Sequence, residues 1–458
     1  MNKNIEQFKR KYKDKKVAVL GVGISNIPVI RFLISMDIDI TAFDKNESMA
    51  DELKRLSINS YYGKDYLKHL RNFDIIFRTP GIRPDLPEIV NEINKGAKLT
   101  SEMELFFDLC PAKIFAVTGS DGKTTTTTII YNILKESGYK CWIGGNIGIS
   151  LFDSIEEIRE EDYVILELSS FQLLTMRKSP NISVITNVSP NHMDYHKSME
   201  EYINAKKNIF LHQEYQDRVV LNYDNETTRN FDKEAKGSVS FFSRRTKIES
   251  GAYTMDGKIF YKSNGEEKEI IDVNEILLPG KHNVENYMAA ICAVMDYTSK
   301  KEIKSVVSSF KGVEHRNEQV REINGIKFYN DSIGTSPSRT IATLNSFDKK
   351  VILIAGGYDK KLSYEMLGDI IVEKVKTLIL IGQTSKKIKE SLKKARGSED
   401  VDVIKCKNLK EAVLKAFLCA SEGDVVLLSP ASASFDMFKN FEERGKIFKQ
   451  TVKNLSEK

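Results

Sequence analysis

Short apolar runs alternate with helix-like segments along the chain. In the first hundred residues, three such runs are "KVAVLG", "IDITAF" and "FDIIFR", and segments with apolar residues at helical spacing separate them. Short buried strands that alternate with helices are typical of βαβ units and a parallel sheet. We therefore predict a Rossmann-like parallel sheet in residues 1–108. The basic segment before the first run predicts a solvated helix that leads into the first strand.

A second unit begins at the strand-like run "KIFAVTG" and continues with a helix predicted to end near Gly138. The runs "DYVILELSS" and "ISVITNVSP" supply two further buried strands. Between residues 236 and 272, an Asp-Gly pair and an Asn-Gly pair lie between alternating segments, which favours β-hairpins. We predict that residues 109–312 form a mostly parallel sheet with a small antiparallel patch.

A third unit repeats the pattern of the first. The runs "GIKFYNDS", "KVILIAGG", "KTLILIGQ" and "GDVVLLSPAS" are separated by amphipathic helices. This pattern predicts a second Rossmann-like, doubly wound sheet in residues 313–458. A chain of 458 residues has room for three domains of this size. The predicted fold class is therefore α/β with three domains.

Composition adds few constraints. The hydrophobic content of 41% and the charged content of 29% are ordinary for a globular protein, and the apolar runs are too short to span a bilayer. The net charge is +5 and the lysines are spread over many helices, whereas a nucleic-acid binder concentrates them. Five scattered cysteines favour free thiols over disulfides or a zinc site. We expect a cytoplasmic monomer with neither a nucleic-acid partner nor a membrane partner.

The segment "VTGSDGKTTTTTII" carries the clearest chemistry. It runs from an apolar strand into a helix through a loop of Gly119, Ser120, Asp121, Gly122, Lys123 and Thr124. Glycines let backbone N–H groups face phosphates, and a helix N-terminus adds positive charge. Lys123 is placed to reach the β- and γ-phosphates of a nucleotide, and Thr124 to join a Mg²⁺ shell, with Thr125 as a further candidate. The alternative is a glycine turn beside a surface lysine, but the order of strand, loop and helix favours a P-loop ATPase-like domain.

A carboxylate ends the next buried strand. In open α/β sheets, ligands bind at the carboxyl ends of the strands, and Glu167 stands at such an end. Its carboxylate could therefore complete the Mg²⁺ shell that Thr124 begins. The alternative is a strand-end glutamate that faces water.

Three polar residues lie just past another strand, and they are His192, Asp194 and His196. They are either ligands at the same sheet edge or satisfied polar residues of the core. The following helix carries Lys206 and Lys207. Lysines on a helix usually mark a solvated face, and composition alone singles out neither of them.

The first unit contains part of a dinucleotide-binding fingerprint. Its "GVGISN" places Gly21 and Gly23 in the expected spacing and Asn26 where the third glycine would stand. Asp44 closes the second strand about 20 residues later, where a ribose-binding carboxylate belongs. This pattern predicts a nucleotide-sized ligand without specifying it.

Three loops of the third unit carry polar residues after predicted strands. They contain Asn330, Asp331, Ser332 and Thr335; Gly356, Gly357 and Lys360; and Ser432 and Ser434. We predict that the two serines lie at a helix start, with Phe441 two turns further on. As isolated residues the serines would be helix caps. Because all three loops are predicted at one sheet edge, they indicate a second small-ligand pocket.

The chain resembles the Mur ligase family. The motifs "TGSDGKTT", "GGNIG", "ELSSFQL", "NHMDYH", "LPGKHNVEN", "HRNE", "NDS" and "SPASASFDMFKNFEERG" follow one another in the family's order, over all three units. The loop is the short form of the P-loop that this family uses. The motifs "ELSSFQL" and "FDMFKNFEERG" are most similar to the family members that add D-glutamate.

The resemblance implies roles for the matching residues. For ATP it implies Gly119, Ser120, Asp121, Gly122, Lys123, Thr124, Thr125, Asn283, Asn286, Arg316 and Asp331. For metal it implies Thr124, Glu167, His192 and a carbamylated Lys206, and the catalytic set is Lys123, Glu167, His192 and Lys206. For the UDP-sugar it implies Gly21, Ile24, Ser25, Asp44, Thr79, Pro80, Gly81 and Asn146. For D-glutamate it implies Thr335, Lys360, Ser434 and Phe441, and Ser169 is a further substrate-binding residue.

The implied reaction is ATP-dependent ligation of D-glutamate to UDP-N-acetylmuramoyl-L-alanine through an acyl phosphate, in peptidoglycan precursor synthesis. Two Mg²⁺ ions are the implied cofactors beside ATP. One alternative is another Mur-type or folylpolyglutamate-synthase-like amide ligase, although the latter lacks the separate N-terminal domain predicted here. A second is a P-loop protein that uses ATP as a switch, against which the carboxylate, histidine and lysine set argues.

The sequence departs from the family pattern at two positions. Ile333 stands where well-described relatives have a lysine, and Ser336 stands where they often have asparagine. The loss of that lysine removes a positive charge expected near the glutamate or the phosphates. Lys360 and Lys361 are the nearby lysines in the sequence that could compensate.

Overall fold

Three β-sheets organise the chain in the computed structural model, which describes residues 3–23, 26–47, 50–147, 150–193, 195–359 and 362–456. The residues group into two compact units, Met1–Glu275 with His282–Ser308 and Ile276–Lys281 with Ser309–Lys458. The first unit contains two of the sheets and the second unit contains the third. This architecture confirms the predicted three-sheet α/β fold class, while the exact domain boundaries stay predictions. Among the described residues, no helix has both the length and the apolar character needed to cross a membrane.

The first sheet is wholly parallel. Its strands are β1 Val17–Leu20, β2 Ile40–Asp44, β3 Asn59–Tyr62, β4 Ile75–Arg78 and β5 Lys98–Thr100. Its helices are α1 Lys3–Tyr12, α2 Asn26–Ser35, α3 Ala50–Arg55, α4 Pro87–Asn94 and α5 Glu102–Leu109. The order β3-β2-β1-β4-β5 places β1 between β2 and β4, so a crevice opens at the carboxyl end of β1.

The sequence led us to expect a solvated N-terminal helix, but one face of α1 is buried. Ile5, Phe8 and Tyr12 are buried in the hydrophobic core, at the i, i+3, i+7 spacing of one helix face. The Phe8 ring stacks on Tyr12 with centroids 4.0 Å apart and lies 5.8 Å from the ring of Phe32 on α2. Two lysines and one arginine between Phe8 and Tyr12 made the narrow apolar face hard to recognise in the sequence.

The second sheet has nine strands. They are β6 Lys113–Thr118, β7 Cys141–Gly145, β8 Tyr163–Glu167, β9 Ile182–Ile185, β10 Arg218–Asn222, β11 Ser238–Ser243, β12 Gly251–Met255, β13 Lys258–Ser263 and β14 Glu266–Asp272. The helices are α6 Lys123–Glu136, α7 Ser170–Leu173, α8 Met199–Lys207, α9 Glu226–Arg229, α10 Lys281–Val294 and α11 Lys300–Ser309. The order is β14-β13-β12-β11-β10-β9-β6-β8-β7. The P-loop strand β6 therefore lies between β9 and β8, which end near the predicted site residues.

The predicted antiparallel patch is confirmed. Strand β13 pairs antiparallel with both β12 and β14, while the described pairs from β12 to β7 are parallel. Asp256 and Gly257 both have positive φ, of 51° and 75°, and Asn264 and Gly265 have φ of 52° and 81°. Two consecutive positive φ values are the type I′ geometry that the Asp-Gly and Asn-Gly pairs predicted.

The third sheet forms the core of the second unit. Its strands are β15 Glu318–Ile323, β16 Ile326–Asn330, β17 Val351–Ala355, β18 Val375–Leu380, β19 Asp402–Lys405 and β20 Val425–Leu428. Its helices are α12 Pro337–Leu344, α13 Glu365–Lys374, α14 Ser385–Lys394, α15 Leu409–Cys419 and α16 Phe441–Lys453. The order is β15-β16-β20-β17-β18-β19, and β15 is an antiparallel edge strand on an otherwise parallel sheet.

One helix start was predicted at the wrong place. Ser432 and Ser434 were expected at the beginning of a helix, but α16 begins at Phe441. The helix cap is Asn440, whose side chain accepts a hydrogen bond from the backbone N–H of Glu443 at 2.9 Å. The serines lie in the irregular segment between β20 and α16, where Ser432 contacts other side chains instead of capping a helix.

The buried face of α1 predicts a stability effect. Phe8 is 6% exposed, so Phe8→Ala leaves a cavity and should destabilise the first unit by about 3 kcal/mol. Chemical denaturation followed by circular dichroism measures the shift in the unfolding midpoint. Lys11→Ala changes an exposed residue of the same helix and is the matched control. Equal midpoints for the two variants would contradict burial of the Phe8 ring.

Candidate active site

A glycine-rich loop joins β6 to α6. A Cβ atom at Gly119 would lie 1.9 Å from Thr186 Oγ1, and one at Gly122 would lie 2.4 Å from Asn286 Oδ1. Gly122 also has a φ of 79°, a left-handed conformation that favours glycine. The Lys123 amine donates to the carbonyls of Gly119 and Ser120, each at 3.0 Å. The lysine therefore lies folded over the loop, as a phosphate-binding lysine would.

The hydroxyl of Thr124 and the carboxylate of Glu167 meet at the sheet edge. Thr124 Oγ1 donates to Glu167 Oε2 at 2.6 Å, and Asn146 Nδ2 donates to Glu167 Oε1 at 2.6 Å. Glu167 is 2% exposed, so it does not face water as the alternative interpretation required. The structure thus brings together Thr124 and Glu167, which the sequence placed at one Mg²⁺ site, and adds Asn146, which follows β7 and was predicted to bind the UDP-sugar.

Residues that follow β9, and one on α8, also form hydrogen bonds with the P-loop. The Ser120 hydroxyl donates to the Ser189 carbonyl at 2.9 Å and lies 2.9 Å from the hydroxyl of Tyr202 on α8. Asn187 accepts from the backbone N–H of Asp121 at 3.0 Å. Sequence analysis missed Tyr202, although its place one helical turn before Lys206 is a signal that both side chains share one face.

Lys206 is buried beside the P-loop. It is 1% exposed, its amine donates to the Gly119 carbonyl at 2.7 Å, and it lies 4.7 Å from the centroid of the Tyr202 ring. Burial lowers the pKa of this amine well below its usual value, and the neighbouring charge of Lys123 lowers the pKa further. Lys207 instead pairs with Glu234 at 2.5 Å. The two adjacent lysines therefore differ, and only Lys206 faces the candidate site.

The two histidines of the segment after β9 differ in exposure and in contacts. His192 is exposed, has a φ of 57°, and its ring lies 4.8 Å from that of Phe171. His196 is buried, and its Nε2 lies 2.9 Å from the hydroxyl of Ser170. Burial lowers the pKa of His196. His196 is thus a core residue, as one alternative proposed, and Asp194 lies outside the described residues.

The run of threonines in α6 is explained by packing. Thr127 and Thr128 donate their hydroxyls to carbonyls four residues earlier, each at 2.8 Å. The hydroxyl of Thr126 donates to Asn286 Oδ1 at 3.2 Å, and Asn286 donates to Asn283 Oδ1 at 3.0 Å. Of the two asparagines predicted near the adenine, Asn286 therefore contacts the P-loop helix and Asn283 is joined to it through Asn286. Thr125 is buried in that helix.

Residues predicted to hold a UDP-sugar meet at the carboxyl edge of the first sheet. Gly21 follows β1, and a Cβ atom there would lie 2.4 Å from Thr79, which follows β4. Asp44, at the end of β2, accepts from the backbone N–H of Val22 at 2.5 Å. Gly81 is exposed in the loop after Thr79. Ile24 and Ser25 belong to the same predicted set but lie outside the described residues.

Ser169 has a structural contact that its predicted role does not require. It is the N-cap of α7, and its hydroxyl and backbone N–H form a capping box with Gln172. The cap fixes the chain just after Glu167. Ser169 therefore orients the strand end whether or not it also touches substrate.

In the second unit, Asp331 is buried at the end of β16. Its carboxylate accepts from the hydroxyls of Thr343 at 2.8 Å and Ser429 at 2.7 Å, and from the backbone N–H of Asn317 at 3.3 Å. Burial raises the pKa of Asp331 above its usual value. Arg316, also predicted at the ATP, is half-buried in the turn before β15. Asp331 fixes the loops at this edge of the third sheet.

A buried arginine joins the loops that carry the predicted D-glutamate residues. Arg444 donates to the carbonyls of Ser432 and Ala433, each at 3.1 Å, and to the carbonyl of Ser332 at 2.8 Å. Ser434 is buried in the same segment. Sequence analysis missed Arg444, because a charged residue in a helix gives no sign of complete burial.

The other residues predicted to bind D-glutamate have separate local contacts and do not meet at one point in the described structure. The Phe441 carbonyl accepts from the Ser332 hydroxyl at 2.8 Å, which places the start of α16 against the loop after β16. Thr335 is half-buried, and its backbone N–H donates to the Ile333 carbonyl at 2.7 Å. Ile333 is half-buried where a lysine was expected. Lys360 lies outside the described residues.

The first unit offers oxygen ligands for Mg²⁺ at the P-loop. In the described ranges, no three His, Cys, Asp or Glu side chains converge as a metal site. Mg²⁺, however, is usually bound by one or two carboxylates and completed by water and substrate phosphates. The Thr124 hydroxyl and the Glu167 carboxylate fit that kind of site. An ammonium at Lys206 would repel the ion, whereas a carbamate there would attract it.

Comparisons with known proteins identify the family. Residues 15–101 match the Mur ligase MurD-like N-terminal domain, residues 117–294 the Mur ligase middle domain, and residues 315–432 the Mur ligase glutamate ligase domain. The matches follow one another along the chain, as the three sheets do. The chain belongs to the Mur ligase family, which confirms the resemblance inferred from its motifs.

The chain is similar over its whole length to particular ligases. It is 58% identical over 465 residues to the UDP-N-acetylmuramoylalanine–D-glutamate ligase of Acetivibrio thermocellus, and the match covers 99% of this chain and 100% of the relative. The ligase of the same name from Ruminiclostridium cellulolyticum is 55% identical with the same coverage. The crystal structure of the UDP-N-acetylmuramate-alanine ligase from Thermotoga maritima is 22% identical, covers 96% of this chain and 99% of that chain, and has a TM-score of 0.56. This last likeness shows the fold.

The buried amine of Lys206 predicts how stability varies with pH. The groups that face the amine are Lys123, which lowers its pKa, and Asp121 and Glu167, which raise it. Between the lowered pKa and about 10.5, the unfolded chain binds a proton that the folded chain lacks, so stability rises with pH by up to about 1.4 kcal/mol per unit. Lys206→Met removes the cost of deprotonating and burying the lysine, so it should stabilise the protein at neutral pH.

Unfolding free energies of both proteins, from about pH 7 to about pH 9.5 in bicarbonate-free buffer, measure the difference. The advantage of Lys206→Met should shrink as the pH rises. Lys207→Met is the matched control, since Lys207 is paired with Glu234. A difference that stays constant over this range would show that Lys206 keeps its proton in the fold.

Proposed function

We propose that this protein catalyses the ATP-dependent ligation of D-glutamate to the L-alanine carboxylate of UDP-N-acetylmuramoyl-L-alanine, in the synthesis of peptidoglycan precursors. The observation that carries the proposal is the identity of 58% over the full length to a ligase of that name. The geometry around Lys123, Thr124 and Glu167 supports the nucleotide chemistry. The need for ATP also supports a cytoplasmic location, and we propose that the enzyme acts as a monomer.

The reaction requires activation because a carboxylate is a poor electrophile. The γ-phosphoryl group of ATP is transferred to a carboxylate oxygen of the L-alanine residue, which gives an acyl phosphate and ADP. The amine of D-glutamate, after losing a proton, attacks the carbonyl carbon of the acyl phosphate. The tetrahedral intermediate then expels inorganic phosphate, and an amide bond is formed.

The P-loop is proposed to supply most of the electrostatic stabilisation. The N–H groups of residues 119–124 and the N-terminus of α6 offer positive partial charge to the phosphates. The Lys123 amine, which contacts the carbonyls of Gly119 and Ser120, would turn to the β- and γ-phosphates. Asn283 and Asn286 are proposed to lie near the adenine, and the support is the contact of Asn286 with the P-loop helix and its hydrogen bond to Asn283.

Thr124, Glu167, His192 and a carbamylated Lys206 are proposed to hold two Mg²⁺ ions. Bound Mg²⁺ would screen the repulsion between the substrate carboxylate and the γ-phosphate. Carbamylation requires a neutral amine, because the nitrogen lone pair attacks the carbon of CO₂ and the nitrogen then loses a proton to solvent. Burial lowers the pKa of Lys206, which favours that neutral form. The modification would turn a buried cation into an anion.

The two substrates are proposed to bind at separate sheet edges. The UDP-sugar would bind at the first sheet through Gly21, Ile24, Ser25, Asp44, Thr79 and Gly81, and Asn146, which follows β7 of the second sheet, would be a further contact. Convergence of Gly21, Asp44 and Thr79 at one crevice supports this assignment. D-Glutamate would bind in the second unit through Thr335, Lys360, Ser434 and Phe441, with Arg316 and Asp331 at the ATP.

A substrate-pair assay tests the function. ADP release and a product with the mass of the dipeptidyl UDP-sugar should appear only with ATP, UDP-N-acetylmuramoyl-L-alanine and D-glutamate together. Lys123→Ala should stay folded and lose at least about 99% of the rate, because phosphate charge is no longer offset. Equal turnover with L-glutamate, or ADP release without an amide product, would reject the proposal.

Replacement of Lys206 tests the carbamate separately. Lys206→Ala should lose activity, and short carboxylic acids should restore part of it by supplying an anionic oxygen in the vacated space. The measurement is ligation rate against acetate or formate concentration, with chloride at equal ionic strength as the control. Lys207→Ala should respond to neither salt. Full activity of Lys206→Ala without added acid would show that the carbamate is not required.

A further inference from the structure

Arg78 is a fully buried arginine at the end of β4. Its exposed fraction is 0%, and burial lowers the pKa of its guanidinium. In the part of the chain that the structure describes, the hydrogen bonds of Arg78 go to carbonyls and hydroxyls, and no carboxylate forms an ion pair with it. The proposed reaction, as described above, assigns no role to this residue.

The guanidinium joins the loop after β4 to the second sheet. Arg78 Nη1 donates to the carbonyls of Thr79 at 3.2 Å, Pro80 at 3.1 Å and Ile82 at 2.6 Å. Two of the residues proposed to bind the UDP-sugar, Thr79 and Gly81, lie in that loop, and a third, Gly21, packs against Thr79. Arg78 therefore fixes the loop's path from within.

The other nitrogen reaches the segment after β8. Arg78 Nη2 donates to the carbonyl of Phe171 at 3.0 Å and to the hydroxyl of Thr175 at 3.2 Å. Phe171 lies in α7, four residues after Glu167. The same guanidinium thus connects the proposed sugar-binding loop to the segment that begins at the proposed Mg²⁺ ligand.

Tyr195 contacts both the guanidinium of Arg78 and the loop after β4. Its hydroxyl donates to the Pro80 carbonyl at 2.9 Å and lies 3.4 Å from Arg78 Nη1. Tyr195 follows His192 by three residues. Arg78 and Tyr195 together connect the loop 79–82 with the segment 171–175 and with Tyr195 itself.

A buried guanidinium without an anion is a poor stabiliser. Its desolvation costs several kcal/mol, and hydrogen bonds to carbonyls offset only part of that cost. An apolar side chain of similar volume would avoid the cost but could not form hydrogen bonds with the six oxygen atoms that surround this guanidinium. The planar, forked group of arginine can, and a lysine has only three donors on one nitrogen.

We propose that Arg78 is a positioning residue that holds the loop 79–82 against the second sheet, so that the carboxylate of the bound UDP-sugar is presented at the P-loop edge. The inference rests on the proposed function, because it takes the UDP-sugar as the ligand of that loop. Arg78 does not touch the reacting atoms. It acts through the backbone of Thr79, Pro80 and Ile82.

Arg78→Lys tests the proposal with little change of volume. The lysine cannot bridge both sides, so the loop should loosen and the Kd and KM for UDP-N-acetylmuramoyl-L-alanine should rise about tenfold, as expected for lost hydrogen bonds from a charged donor. The KM values for ATP and D-glutamate should stay within about twofold, because the hydrogen bonds described for Arg78 go to the loop 79–82, the segment 171–175 and Tyr195, and none of these is proposed to bind ATP or D-glutamate. Calorimetric titration without ATP and steady-state kinetics give these constants.

A second variant tests the same contacts, and a third serves as the control. Tyr195→Phe removes one hydroxyl from the same arrangement and should raise the same KM by a smaller factor, even if Arg78→Lys does not fold. Arg218→Lys alters an arginine at the start of β10, paired with Asp296 at 2.5 Å, and should change none of the constants. Unchanged UDP-sugar affinity in both Arg78→Lys and Tyr195→Phe, or an equal rise in all three KM values, would overturn the proposal.

Hydrogen exchange separates this inference from the proposed function. In the unliganded protein, peptides that cover residues 79–82 should exchange faster in Arg78→Lys than in the unmodified chain. If the unmodified protein binds no UDP-sugar, the proposed function fails, and with it the sugar-positioning role. Faster exchange would then still show that Arg78 holds the loop, whereas equal exchange would show that it does not.

Discussion

The amines of Lys123 and Lys206 both donate to one backbone oxygen, the carbonyl of Gly119, at 3.0 Å and 2.7 Å. Two ammonium groups that share an acceptor repel each other, and one of them is in addition almost completely buried. The less costly solution is a neutral Lys206 and a charged Lys123. In the proposed chemistry, Lys123 would serve as a counter-charge for phosphate, and a neutral Lys206 would be the nucleophile toward CO₂. The chemistry proposed for the site follows from this asymmetry.

The geometry that produces the asymmetry comes from the order of strands. β6 lies between β8 and β9, so the loop after β6 has a carboxylate from one neighbour and the segment with Asn187 and Ser189 from the other. α8 then crosses the loop and delivers both Tyr202 and Lys206 from one face. These five residues around the P-loop thus come from three separated stretches of sequence, and the order of the parallel strands together with α8 brings them to one place.

Much of this arrangement was predictable from the sequence because it depends on local patterns. The strand, loop and helix of the P-loop, the two hairpins with Asp-Gly and Asn-Gly turns, and the strand that ends at Glu167 all have short-range signals. Strands β3 and β5 were missed because β3 is half polar, with the sequence "NSYY", and β5 has only three residues. Their pairing partners in the sheet, and not their own composition, make them strands.

Burial of charged side chains could not be predicted in the same way. Arg78, Lys206 and Arg444 each stand among ordinary polar or apolar neighbours in the sequence, where an exposed position is the usual outcome. What distinguishes the two arginines is a set of carbonyl oxygens brought together by loops, and what distinguishes Lys206 is the Gly119 carbonyl of the P-loop. The family resemblance supplied a role for Lys206 alone. For the two arginines, three-dimensional contacts were the first indication that they organise the sheet edges.

The edge strand β14 of the nine-stranded sheet affects how the protein meets other molecules. Strand β14 is the edge strand, and its residues Glu266, Glu267, Lys268 and Glu269 are exposed. An open edge of unpaired amides and carbonyls invites a strand from another molecule to add to it, and closely spaced charges make such docking unfavourable. The antiparallel hairpins therefore do more than extend the sheet. They end it with a strand that resists aggregation when the protein is concentrated.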